Sequence, residues 1–100
     1  MAAYAVLYTT EVIDEALHAE FRSRVTSLLE AKSGKFVMRG DIAEASDGET
    51  TAHRRIAVME FPTIEQARAW VGPQSEPEYV ALRELRGRAG NCISFVVEGS

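Results

Sequence analysis

The chain has 100 residues, of which 46% are hydrophobic and 26% are charged, and its net charge at pH 7 is −4. The length fits one domain spanning residues 1–100, and the composition is that of a globular chain rather than a disordered one. The acidic balance argues against nucleic acid and against an anionic membrane surface as partners.

The sequence also bears on where the protein works. No apolar run approaches the ~20 residues that a membrane-spanning helix needs. The first residues, Met1-Ala2-Ala3-Tyr4, lack the basic and apolar regions of a signal peptide. Cys92 is the only cysteine, which rules out a disulfide framework within the chain. We therefore expect a cytoplasmic protein.

The first third of the chain predicts a strand followed by a helix. Residues 3–10 alternate between the two faces of a strand. Asp14 is the predicted N-cap of a long helix, and Gly34 is predicted to end that helix in the C′ position. Four apolar residues on one side of the helix predict that it packs on the sheet: Leu17, Phe21, Val25 and Leu28.

A hairpin is predicted next. A second strand runs from Lys35 to about Ser46, Asp47-Gly48 is a strong turn signal, and a third strand spans residues 55–61. Pro62 cannot donate to a sheet ladder, so the third strand must stop there.

Two helical pieces and a last strand complete the chain. Thr63 and Gln66 have the spacing of a capping box, and Ser75-Glu76-Pro77-Glu78 predicts another capping box with an early proline. The inner side of the later helix is marked by Tyr79, Leu82, Leu85 or Arg86, and Ala89. Gly90 stops it, and residues 93–97 form a strand that is apolar on both faces.

The order strand, helix, strand, strand, helix, strand predicts an α+β, ferredoxin-like βαββαβ fold, with helices on one face of a four-stranded antiparallel sheet. The other face would carry Val37 or Met38 and Ile56 or Met59, among other apolar residues. An exposed sheet face this apolar is a liability in a monomer. We therefore expect a homodimer formed by packing this face against a second copy.

Two sets of residues carry a family resemblance. The first is Gly34-Lys35-Phe36-Val37-Met38-Arg39-Gly40, and the second is Glu60-Phe61-Pro62, Ala67, Trp70, Glu78-Tyr79, Leu82 and Arg86. Together they resemble domain-of-unknown-function family 1330, small proteins of the dimeric α+β barrel class, over nearly the whole chain.

The resemblance implies a ferredoxin-like fold and a two-sheet dimer, but no established activity. Relatives in the wider barrel class bind small aromatic or polyketide-like compounds, or haem, and some oxidise or isomerise them. Two departures from the family pattern affect any pocket. Asp41 stands where a second glycine is usual, and the connection from Trp70 to Tyr79 is longer than the resemblance predicts.

Two charged residues on predicted strands are candidate ligand-binding residues. Arg39 could bind a carboxylate or phenolate in a cleft, or it could form a structural ion pair with Glu60 on the neighbouring strand. Glu60 could be a general base whose pKa is raised by burial, or it could be the structural ion-pair partner of Arg39, Arg54 or Arg55. We favour the structural interpretation of both residues.

Three more residues complete the candidate set. Tyr79 and Trp70 could line a pocket between helices and sheet, although core packing is the favoured interpretation. His18 is expected to be a helix-surface histidine, with a general base near a pocket mouth as the alternative. His18 and His53 have no metal-ligand spacing between them, so we expect neither a metal site nor a cofactor.

The leading hypothesis is a small homodimer of unassigned activity that binds a small organic molecule between sheet and helices. One alternative is a cofactor-independent monooxygenase or isomerase that uses His18 or Glu60 as base and Tyr79 as donor. The other is a structural or regulatory interaction module without a ligand.

Overall fold

Four strands and three helices follow the predicted order. The computed structural model describes residues 2–42 and 54–99, so the predicted turn at Asp47-Gly48 and the end of the predicted second strand at Ser46 lie outside the described residues. The elements are β1 (Ala3–Val12), α1 (Glu15–Ala31), β2 (Lys35–Asp41), β3 (Arg55–Phe61), α2 (Ile64–Val71), α3 (Pro77–Ala89) and β4 (Gly90–Glu98).

The strands form one antiparallel sheet in the order β2-β3-β1-β4. Central strand β1 places Leu7 opposite Ala57 of β3 and Ser94 of β4. The predicted α+β, ferredoxin-like fold is confirmed. The edge strands are β2 and β4, and β3 and β1 form the middle of the sheet.

The helix-facing side of the sheet contains the core. Ala5 and Met59 sit opposite each other there, and with Phe61 they are at most 3% exposed. Leu29 of α1 and Leu82 of α3 pack against the same cluster. Full burial of a large apolar side chain contributes about 1.5–3 kcal/mol, so these residues supply much of the stability.

None of the described helices lies on the opposite side of the sheet, and we call this side the open sheet face. Its side chains are Met38 on β2, Ile56 and Val58 on β3, Tyr4, Val6 and Tyr8 on β1, and Ile93, Phe95 and Val97 on β4. Met38 is 52% exposed, Ile93 56%, and Phe95 and Val97 42% each. The expectation of an apolar, uncovered face is therefore confirmed, with Met38 and Ile56 on it and Met59 turned to the helices.

Side-chain caps begin two of the helices as predicted. The Leu17 amide donates to Asp14 Oδ1 at 3.0 Å, and the Gln66 amide donates to Thr63 Oγ1 at 3.2 Å in a complete capping box. The capping box predicted at Ser75 is wrong. Glu76 is the N-cap of α3 and makes no side-chain cap bond, because Pro77 occupies the first helical position and moves the helix start one residue on.

The end of α1 differs from the prediction by one residue. The Gly34 amide donates to Leu29 O and the Ser33 amide to Glu30 O, both at 3.0 Å, which is the Schellman pattern. The C′ position therefore belongs to Ser33, whose φ is 66°, and not to Gly34. Gly34 is required for space instead, since a Cβ there would lie 2.5 Å from Leu29 Cδ1.

Ser33→Gly is expected to stabilise the protein by about 0.5–1 kcal/mol, because a left-handed backbone costs an L-residue more than it costs glycine. Ser33 is exposed and the change removes no buried contact. Urea unfolding measures the effect. A midpoint at or below that of the wild type would show that the Ser33 conformation carries no strain.

Candidate functional site

A cleft of about 80 Å³ lies between the helices and the helix-facing side of the sheet. At this place α1 and α3 pack chiefly against each other, α2 lies against β1 and β4, and α3 also contacts β4. One water molecule needs roughly 10–15 Å³ of such space, so the cleft has room for a small organic molecule.

The inner part of the cleft is apolar. Leu7, Ala57 and Met59 form its floor on the sheet, and Phe21 and Val25 of α1 form its roof. Two periodicities in the sequence place these five side chains on facing surfaces. One is the alternation along the strands, and the other is the spacing of four along the helix. The inner cleft therefore fits the hydrocarbon part of a ligand.

Arginine dominates the polar lining. The arginines are Arg22 on α1, Arg39 on β2, Arg55 on β3, and Arg83 and Arg86 on α3, while the one acidic residue in the described part of the lining is Asp41. The chain as a whole has a net charge of −4, so this concentration of positive charge is local. Low-dielectric walls strengthen the field of such a group and favour a bound anion.

Two of these arginines already have structural partners. Arg83 donates to Trp70 O at 2.8 Å and to Val71 O at 2.6 Å, where it caps the carbonyl end of α2. Arg86 donates to Ser94 Oγ at 3.2 Å across the cleft. At the other end of the cleft Arg55 is paired with carboxylates and Arg39 donates to Thr26 Oγ1, so Arg22 is the arginine of the lining for which the described residues supply no partner.

Arg55 joins three elements at that other end. Its Nη2 lies 3.3 Å from both carboxylate oxygens of Glu15 on α1, and its Nε lies 2.8 Å from Asp41 Oδ1 on β2. Although Nε is buried and close to Asp41, it makes no hydrogen bond within the described protein. Charge attraction therefore holds this pair, and Arg55 is fixed between helix and sheet.

Arg39 lies at the cleft as a candidate ligand-binding residue should. Its guanidinium stacks 4.3 Å from the centre of the Phe36 ring, and Nη1 donates to Thr26 Oγ1 at 3.4 Å. Stacking on an aromatic ring leaves the edge of the guanidinium able to bind an anion. The predicted ion pair between Arg39 and Glu60 is wrong.

Glu60 lies on the open sheet face, away from the cleft. In the β2–β3 register it is opposite Lys35, and its Oε1 is 3.3 Å from Lys35 Nζ. Arg39 is opposite Ala57, which faces the helices, because the register shifts between Phe36 and Met38. Side chains alternate along each strand, so Arg39 and Glu60 point to opposite faces. Glu60 is therefore not a base for chemistry in this cleft.

Trp70 and Tyr79 line the cleft wall and also pack in the core. Their rings meet edge to face at 5.9 Å, and Trp70 is 6.1 Å from Phe61. The Tyr79 hydroxyl donates to Leu28 O at 3.1 Å, so it ties α3 to α1 and is not available as a donor to a ligand. This arrangement agrees with the favoured interpretation of core packing.

His18 is not a surface residue, contrary to expectation. It is 7% exposed, lines the cleft from α1, and packs at 6.4 Å from the Phe21 ring. Burial lowers the pKa of His18, and the positive charges of Arg55 and Arg22 lower it further, partly offset by Glu15 and Asp41. The imidazole is therefore neutral at pH 7.

The lowered pKa of His18 predicts a pH effect on stability. As the pH falls from about 7.5 to about 5.5, we expect the wild type to lose more free energy of unfolding than His18→Gln. The unfolded chain takes up a proton near the ordinary histidine pKa of 6.5, and folded His18 does so only at lower pH. This stabilisation is therefore present above pH 6.5 and is lost below it. Urea unfolding at several pH values measures the difference, and parallel losses in the two proteins would contradict it.

Arg22 and Arg55 were missed as candidates from the sequence. Arg22 follows His18 by one helical turn, and this spacing was a usable signal once His18 was considered. Arg55 is opposite Thr9 on the helix-facing side, a position that depends on the strand register.

In the described part of the chain, no group of His, Cys, Asp and Glu side chains could hold a metal ion. None of the described helices is long and apolar enough to span a membrane.

The sheet, the helices on one face and the cleft between them define the dimeric α+β barrel fold. The sequence matches the family described as "Domain of unknown function (DUF1330)" over residues 2–100, and the chain belongs to this family. No curated protein matches the sequence.

Two solved structures share the fold. Rv0793 from Mycobacterium tuberculosis is 14% identical, with a TM-score of 0.59 over 100% of this chain and 96% of that one. An ethyl tert-butyl ether D (EthD) family protein from Bacillus halodurans C-125 is 13% identical, with a TM-score of 0.63 over 100% of both chains. At these identities the likeness shows the fold alone.

Proposed function

We propose that this protein is a cytoplasmic homodimer that binds a small organic anion, a carboxylate or a phenolate, in the cleft of each copy. The observation that carries this proposal is the lining of the cleft, where five arginines and one acidic residue, counted among the described residues, surround an apolar interior in an acidic chain. A ligand with an anionic group on an apolar body matches both parts of this lining.

The anionic group is assigned to the end of the cleft at Arg22, Arg39 and Arg55. Arg83 and Arg86 bond to protein atoms at the other end. Arg22 is exposed and has no ion pair among the described residues, so its guanidinium can donate two parallel hydrogen bonds to a ligand carboxylate. The hydrocarbon part of the ligand then lies against Phe21 and Met59.

The second copy is assigned to the open sheet face. Nine apolar or aromatic side chains share that face, and those on the edge strands remain about half exposed. Pairing two such faces under two-fold symmetry removes them from water, and the fold is that of the dimeric α+β barrel class. The cleft is on the other side of the sheet, so dimerisation leaves it open.

The binding proposal is tested with benzoate, salicylate and the neutral isostere benzamide. We expect benzoate or salicylate at millimolar concentration to raise the melting temperature and benzamide to have little effect. Arg22→Gln should weaken binding at least about tenfold in calorimetry, because it removes a charge-assisted hydrogen bond. Arg24→Gln is the matched control, since Arg24 is exposed on the same helix and does not line the cleft.

Two outcomes would contradict the binding proposal. One is the absence of any shift with benzoate and salicylate, which would favour the interaction module without a ligand. The other is equal weakening by Arg22→Gln and Arg24→Gln, which would show that the anion responds to overall charge and not to the cleft.

A further inference from the structure

We infer that His18 accepts a proton from the bound ligand, and that the cleft therefore takes a molecule with an ionisable hydroxyl group, a phenol or an enol, and holds it as the oxyanion. This inference rests on the proposed function, and it names the ligand class and the proton acceptor within the same cleft.

The position of His18 carries the inference. The imidazole lies inside the cleft at 7% exposure, yet no side-chain hydrogen bond to it is formed by any described residue. Among the described residues, Arg55 Nε is the one buried side-chain polar atom without a partner, so the His18 ring nitrogens still reach the open space of the cleft, where a ligand can bond to them. Neutral imidazole offers one accepting nitrogen, which suits a hydroxyl donor.

The charged groups around His18 come from every element that reaches this end of the cleft. Arg22 and Glu15 lie on α1, Asp41 on β2 and Arg55 on β3. Burial and the two arginines keep the free imidazole neutral, ready to accept a proton. In the empty cleft, the positive charges of the same two arginines disfavour protonation of the imidazole. An oxyanion bound between the arginines and the ring offsets this repulsion.

Other acceptors are excluded by their partners or their positions. Asp41 is 75% exposed at its side chain and pairs with Arg55. The Tyr79 hydroxyl donates to Leu28 O, and Glu60 is on the other face of the sheet. Within the described lining of the cleft, His18 is the buried base that faces the ligand.

The step needs no oxidant and no other reactant. The O–H bond of the ligand breaks, its electron pair stays on oxygen, and the proton forms an N–H bond on the imidazole. The imidazolium and the oxyanion then form a charge-assisted pair, and Arg22 and Arg55 add further stabilisation of the negative oxygen. The total charge in the cleft does not change, so no proton passes to the solvent.

The experiment uses 4-nitrophenol, whose ionised form absorbs visible light, about one pH unit below the pKa of the free probe, where roughly nine-tenths is protonated. With the wild-type protein we expect phenolate absorbance on binding, with no proton released to the buffer. Calorimetry in buffers of different ionisation enthalpy measures the proton balance. The affinity for benzoate, which is already ionised and has no proton to transfer, is measured under the same conditions.

His18→Gln separates a proton acceptor from a merely structural residue. We expect the affinity for 4-nitrophenol to fall about tenfold or more, and any bound phenolate to release a proton to the buffer. Benzoate affinity should change less than about threefold. Arg24→Gln is the control, since Arg24 is exposed on α1 and does not line the cleft, and it should behave as the wild type does.

Three results would overturn the inference while the proposed function stands, provided that benzoate binds. They are neutral 4-nitrophenol in the wild-type complex, no binding of 4-nitrophenol, and an unchanged affinity and proton balance in His18→Gln. If neither benzoate nor 4-nitrophenol binds, the proposed function itself fails. The binding of benzoate therefore distinguishes the two failures.

Discussion

Phe95→Lys is expected to convert the proposed homodimer into a folded monomer, with a dimer dissociation constant at least about 100-fold weaker. Phe95 lies opposite Val6 on the open sheet face and is 42% exposed. In the monomer a lysine there reaches water, so the fold tolerates it. In a symmetric dimer the change places two ammonium groups between apolar sheets, where each must lose its hydration.

Sedimentation velocity at tens of micromolar measures this effect. Val80→Lys is the matched control, because Val80 is 37% exposed on α3 and is not on the open sheet face. We expect that variant to sediment with the wild type, and circular dichroism to show that both variants are folded. A wild-type protein that sediments as a monomer, or a Phe95→Lys variant that remains dimeric, would contradict the assignment of this face to a second copy.

Gly34→Ala is expected to destabilise the protein by about 2–3 kcal/mol. A Cβ at this position would lie 2.5 Å from Leu29 Cδ1 and 2.7 Å from Phe61 Cε1. Both side chains are fully buried, so neither has an empty space to move into. The end of α1 must therefore shift away from β3. This shift weakens the Schellman hydrogen bonds and also loosens the packing of the core.

Gly87→Ala is the control for Gly34→Ala, since it makes the same chemical change. Gly87 lies within α3, and a Cβ there would meet no atom within 4 Å. Alanine in a helix interior is better than glycine by about 0.5–1 kcal/mol, so this variant should be more stable than the wild type. If the two variants shift the urea midpoint in the same direction, close packing at Gly34 is not the cause.

Much of the fold was predictable because its signals are local. Asp14 and Thr63 begin their helices through bonds to amides three residues away, and Pro62 ends β3 through its own missing N–H. The apolar alternation of β1 also predicted which side chains share a face. Two predicted cap residues were wrong by one position. The C′ residue of α1 is Ser33 and not Gly34, and the N-cap of α3 is Glu76 and not Ser75.

The candidate site was less predictable because it depends on register. A bulge between Phe36 and Met38 decides that Arg39 faces the helices while Glu60 faces away, and a shift of one residue reverses a side chain completely. His18 was predicted at the surface because that is the usual position of a helix histidine. The structure instead buries it in the wall of the cleft, where it packs beside Phe21 of the same helix.

The sequence by itself determined the order of strands and helices, the acidic charge of the chain and the excess of apolar strand residues. Those features come from residue types and short spacings, which act within one turn or one strand. Only the tertiary structure decided that Arg22, Arg39, Arg55 and His18 share one cleft. They come from one helix and two strands, and the sheet register and the separation of the helices from the sheet bring them together.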